Sequence, residues 1–169
     1  GGTAVEGAKP LYEIVADSGK AEMKHQRTQQ NVAPKLPFDA EYSVPDGSSR
    51  RAVFAAWLTS SKNPYFAKSF VNRMWGYMLG KGLIEPIDDI RAGNPASIPE
   101  LLEFLEKDFV ANKFDVRHIL KTICKSETYQ RSIQTNSWNA DDDRNYSHAM
   151  PRRLPAEVLF DAIHMVTGS

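Results

Sequence analysis

Beyond residue 48, apolar positions recur at helical spacing, broken by short polar stretches. Val53, Phe54, Trp57 and Leu58 lie three to four apart behind Ser48 and Ser49, either of which can cap a helix start. Ser60 to Asn63 ends that helix, and Asn63-Pro64 opens the next, because proline suits a first turn where its missing N–H has no partner to lose. Phe66, Phe70, Met74 and Tyr77 follow, and Gly80 is a natural left-handed stop. Ser97-Ile98-Pro99-Glu100 has the form of a capping box and opens a helix carrying Leu101, Leu102, Leu105 and Phe109. Asp115 caps a fourth helix, which presents Val116, Ile119, Leu120 and Ile123. Pro155 lies in the first turn of a fifth that runs to Gly168. Residues 82–94 read as a loop, and residues 135–144 are polar and read as another.

The first part of the chain is patterned differently. Residues 11–15 are β-prone, Asp17-Ser18-Gly19-Lys20 has turn chemistry, and residues 21–25 return as a second strand. Pro34, Pro37 and Pro45 then punctuate an extended linker. The expected fold is mainly α, a bundle of about five helices with a small N-terminal β hairpin. The expected organisation is an N-terminal segment and linker over 1–47 and a helical domain over 48–169.

Composition narrows the function classes. The 169 residues are 41% hydrophobic and 25% charged, enough for a packed core. Lys+Arg and Asp+Glu both number 21, so there is no electrostatic case for nucleic acid. No apolar run approaches the roughly 20 residues that span a bilayer. Gly1 to Ala4 lacks a basic-then-apolar leader pattern and reads as an added cloning remnant or an internal cut. Cys124 is the sole cysteine and sits in an apolar stretch as a small core residue. His25, His118, His148 and His164 lack metal-ligand spacing. Asp141-Asp142-Asp143 lacks the glycine and terminal glutamate of a calcium loop and reads as a solvated acidic turn. Ser126 to Tyr129 lacks the glycines of a nucleophile elbow and reads as a helix corner held by hydroxyl–backbone bonds. Trp57 and Trp75 are core by position, whereas Trp138 stands in a polar loop where it is free to meet a ligand.

One residue interrupts the helical pattern. At ~100° per residue, Arg73 falls in the same narrow arc as Phe66, Phe70 and Tyr77, which predicts a buried arginine in need of acceptors. Candidate members of one polar cluster are Asn72, Arg73, Asp88, Asp89, Arg152, Arg153, Glu157 and Asp161. Such a network acts either as a brace between helices and loops or as a site for a small anionic or sugar-like ligand. No complete catalytic set emerges.

Several stretches together carry a family resemblance. Asn63-Pro64-Tyr65-Phe66-Ala67 leads into Val71-Asn72-Arg73-Met74-Trp75, then Leu79-Gly80-Lys81-Gly82-Leu83 and Pro86-Ile87-Asp88-Asp89-Ile90. Asn94-Pro95, Pro99-Glu100-Leu101-Leu102, Ser126-Glu127-Thr128-Tyr129-Gln130 and Arg152-Arg153-Leu154-Pro155-Ala156-Glu157 follow in order. This order resembles the planctomycete PSD-type domain, a domain of unknown function that follows cytochrome-c-like domains. The resemblance spans roughly 48–169 and implies a piece, truncated at its C-terminus, of an exported multidomain protein. Haem would belong to a neighbouring domain, because this chain lacks C-x-x-C-H and implies no cofactor of its own. The expected partners are the neighbouring domains of the full-length protein. The readings left open are a non-catalytic structural or binding module, an enzyme domain acting on polysaccharide or another anionic polymer, and a docking surface for a redox partner.

Overall fold

The computed structural model describes residues 22–37 and 47–168. The chain divides into two compact units, residues 1–59 and 60–169. The first holds β1 (Met23–Lys24), β2 (Asn31–Val32) and α1 (Arg50–Leu58); the second holds α2 (Phe66–Leu79), α3 (Pro99–Ala111), α4 (Val116–Lys125) and α5 (Ala156–Thr167). The mainly α architecture, five helices and a small hairpin among the described residues, is the one the periodicity predicts.

In the first unit β1 and β2 pair antiparallel, Met23 with Val32 and Lys24 with Asn31. The returning strand expected over 21–25 is thus present as Met23–Lys24, but its partner is Asn31–Val32, where no strand was expected. The strand expected over 11–15 lies outside the described residues. The turn closes because the His25 ring Nδ1 accepts from the Arg27 and Thr28 N–H groups, 3.3 Å each, and Gln29 adopts φ 57°. α1 begins at Ser49, whose hydroxyl accepts from the Ala52 N–H at 3.2 Å, as the capping pattern required.

In the second unit α2 packs on both α3 and α4, and these two pack on each other. Asn63, not a residue of the helix, organises the α2 start: its side-chain oxygen accepts from the N–H groups of Tyr65 and Phe66, at 2.9 and 3.0 Å. Gly80 ends α2 at φ 90°. The core is built by Val71 and Trp75 of α2, Leu105 and Phe109 of α3, and Ile119 and Ile123 of α4. Phe70 stacks on Phe109 at 4.8 Å, and Phe114 meets both Phe109 and Phe66 edge-on.

α3 ends without glycine. The Phe114 N–H bonds the Phe109 carbonyl at 2.9 Å and the Lys113 N–H bonds that of Val110 at 3.0 Å, the two bonds of a Schellman ending. Lys113 (φ 55°) and Phe114 (φ 60°) accept left-handed backbone to make it, held by the Phe114–Phe109 ring contact. Asp115 then caps α4 through the His118 N–H at 3.1 Å.

Two local expectations change. The Ser97–Glu100 capping box does not form: α3 is capped at Ile98 with no side-chain bond, because the Ser97 N–H is taken by the Leu83 carbonyl at 2.7 Å. Tyr146, from a segment without helical pattern, is buried in the core at φ 55°. Its hydroxyl lies 2.7 Å from the Gly82 carbonyl, and its ring meets Trp75 edge-on at 5.4 Å.

Candidate functional site

The buried polar residue of α2 is Asn72, not Arg73. Asn72 is fully buried, and its amide meets the loop that follows the helix. Its Nδ2 donates to the carbonyls of Ile84 and Ile87, 3.1 Å each, and its Oδ1 accepts from the Ile84 N–H at 2.9 Å. One side chain thereby satisfies three backbone groups of a loop with no secondary structure of its own, a need that burial makes strict. The loop comes close because glycine stands at two contacts. A Cβ on Gly82 would lie 2.7 Å from the Ile84 carbonyl, and one on Gly76 would lie 2.8 Å from the Ile87 side chain.

Arg73 is the correction to the helical-wheel reading. Its side chain is half-exposed and paired to the exposed carboxylate of Asp88. The helix is apolar over more than one face, and the face turned inward carries Ala67, Val71, Asn72 and Trp75. A bond with the Tyr77 side chain, and then the charge of Asp88, raise the Arg73 pKa. Asp89 pairs with Arg91 at 2.9 Å, and its carbonyl accepts from the Asn94 side chain at 3.0 Å.

Arg152 closes the other end of α2. Its two guanidinium nitrogens donate to the Tyr77 and Met78 carbonyls at 2.6 and 2.8 Å, where a helix C-terminus leaves acceptors and a negative dipole end. Gly80 makes room, since a Cβ there would meet Arg152 Cδ at 3.3 Å. Arg153, Glu157 and Asp161 are exposed. No hydrogen bond or ion pair joins Glu157 or Asp161 to Arg73 or Arg152 among the described residues. The expected cluster therefore resolves into separate contacts: Asn72 with the loop carbonyls, Arg73 with Asp88, Asp89 with Arg91, and Arg152 with the end of α2.

A separate concavity lies elsewhere among the described residues. A groove of about 680 Å³ runs between the start of α2, α3 and the loop over 84–98, floored by Ile84, Ile90 and Leu102. Its α3 wall carries Glu103 paired with Lys107 at 2.5 Å and Glu106 paired with Lys68 at 3.6 Å. The Lys107 ammonium bonds Glu103 and holds its carboxyl below the ordinary range. Glu103 and Glu106 stand three apart on one helix. Two-carboxylate glycoside hydrolysis needs acids on opposite sides of the scissile bond, and this wall does not supply them.

α5 is the most unusual surface. None of its residues is buried. Phe160, Ile163, Met165 and Val166 are exposed by 53–86%. On a wheel of ~100° per residue, Glu157, Asp161 and His164 occupy an arc of only about 60°, and nearly all the rest is apolar. The sequence places the helix correctly but gives no sign that nothing described in the chain covers it. No described helix is long and apolar enough to cross a membrane, and no described group of three or more His, Cys, Asp or Glu could hold a metal ion.

No curated protein and no solved structure matches the chain. A family model described as a protein of unknown function, PSD1 (DUF1553), matches residues 50–169. The match takes in α1 to α5, the Asn72 loop brace and the Arg152 contact, and this chain belongs to that family.

Proposed function

We propose that this domain is a non-catalytic structural and partner-binding module that docks through α5 onto a neighbouring domain of a larger polypeptide. The observation that carries the reading is the exposure of a helix apolar on nearly every side. Helices of that composition are normally enclosed by other elements, and apolar surface of this extent marks an interaction site. The polar residues singled out by the sequence support it from the other direction, because Asn72, Arg73 and Arg152 are engaged in holding backbone and loop in place. The resemblance in Val71 to Trp75 and Arg152 to Glu157 adds the setting: an exported, haem-associated multidomain protein whose adjacent domains offer the covering surface.

The test is the pair Phe160→Glu and Val166→Lys. In this chain the double variant keeps the α2–α4 fold, with unfolding unchanged within a few degrees, because α5 contributes no buried residue. It also loses binding of a hydrophobic dye. In the full-length protein the same change frees the domain, read as new inter-domain proteolytic cleavage. Unchanged cleavage, or collapse of the α2–α4 core, overturns the reading.

A further inference from the structure

Trp138 has the highest exposure of the large apolar side chains described, 92%. It stands on a loop that braces itself. The Trp138 N–H donates to Asn136 Oδ1 at 2.8 Å, and the Asn136 N–H donates to Asn139 Oδ1 at 2.8 Å. Farther on, the Asp142 carboxylate accepts from the N–H groups of Arg144, Asn145 and Ser147 at 2.8–3.0 Å. The indole is therefore presented by fixed backbone on both sides, so a ligand stacking on it would order little that is not already ordered.

We propose that Trp138 and its flanking amides form a stacking platform for a neutral pyranose sugar. An indole face matches the C–H face of a sugar ring in size and polarity, and a single flat ring is a platform, not the multi-ring cage that captures an ammonium group. The rim matches hydroxyl groups, which both donate and accept. The loop uses the Oδ1 atoms of Asn136 and Asn139 as acceptors, so their NH₂ groups are not spent on those two bonds. The exposed Asp141 carboxylate supplies an acceptor. The other two acids of the run are engaged, Asp142 by backbone and Asp143 by Lys81 at 3.3 Å. Asp141, exposed and three residues beyond Trp138, adds negative charge to this loop, which disfavours sulfated or acidic sugars, so the ligand is neutral. A protein partner would favour an apolar ring around the tryptophan to exclude water, whereas Asn136, Ser137, Asn139 and Asp141 flank it here.

Fluorescence tests this directly, because Trp57 and Trp75 are 6% and 2% exposed and Trp138 dominates the quenchable emission. Titration with neutral cello-, malto- and chito-oligosaccharides is expected to shift that emission to the blue and protect it from acrylamide. Trp138→Phe retains weakened binding. Trp138→Ala, followed by the Asn136 and Asn139 side-chain amide resonances and by calorimetry, weakens it about tenfold or more at unchanged thermal stability. The proposal fails if none of these sugars shifts the emission, if Trp138→Ala binds as well as the parent, or if only sulfated glycans or tetramethylammonium produce the shift.

Discussion

Replacing Asn72 by alanine removes three hydrogen bonds at once and leaves the Ile84 N–H and the carbonyls of Ile84 and Ile87 without that partner. Because Asn72 is fully buried, water does not replace it without a cavity large enough to admit it. A buried backbone group left unsatisfied costs about 1–3 kcal/mol. Three such groups, partly relieved by loop relaxation, give an expected loss of about 3–5 kcal/mol. For a domain of this size, with about 3–5 °C per kcal/mol, the midpoint falls by roughly 10–20 °C. Asn72→Asp separates hydrogen bonding from volume. The new carboxylate still accepts from the Ile84 N–H but faces two carbonyl oxygens, and both burial and those oxygens raise its pKa in the folded state. A raised folded pKa makes the penalty full above that value. The penalty shrinks as pH falls towards the ordinary carboxylate value and is absent below it. Chemical denaturation of Asn72→Ala, Asn72→Asp and the parent from about pH 4 to 8, the range that brackets a raised carboxyl, reads both effects. A loss under about 1 kcal/mol for Asn72→Ala, below the cost of even one unsatisfied group, would show that the loop does not depend on this amide. So would an aspartate variant indifferent to pH.

The other predictions concern backbone and charge. Lys113→Gly removes the steric penalty of a left-handed residue while keeping both Schellman bonds, so it stabilises by up to about 1 kcal/mol in equilibrium unfolding; destabilisation would mean that the lysine side chain packs more than the backbone strains. The Asp142 carboxyl is held well below the usual range by the neighbouring Ser147 hydroxyl and then by bonds from the Asn145 and Arg144 N–H groups. Its folded pKa is depressed, so its contribution is complete above the ordinary carboxylate value and is lost as pH falls through the lower folded value. The amide resonances of Arg144, Asn145 and Ser147 are accordingly expected to hold their positions well below about pH 4 in the parent. Asp142→Ala is expected to displace those resonances at every pH, and movement near the ordinary carboxylate value in the parent would contradict the geometry.

Helix starts and stops were legible because they depend on neighbours within a turn. Ser49 and Asp115 cap where their chemistry points, Gly80 and Gly168 are left-handed, and Ser126 braces its corner through the Ile123 carbonyl at 2.7 Å. The Ser97 capping box gives way to a distant carbonyl that competes for the same backbone. The wheel misplaces Arg73 inward because apolar residues on more than one face leave it without a unique inside. The choice between Asn72 and Arg73 belongs to a loop that returns 12 and 15 residues later. Tyr146 reaches a carbonyl 64 residues away, at Gly82, and nothing in its own neighbourhood announces that.

By itself the sequence determined the mainly α class, most helix boundaries and the family, since these rest on short-range hydrogen bonding and ordered motifs. The tertiary structure decided which face of α2 is buried, which polar residue braces the loop, and that α5 and Trp138 stand in solvent. Burial is a property of what packs against a residue, and the packing elements here lie tens of residues apart in the chain.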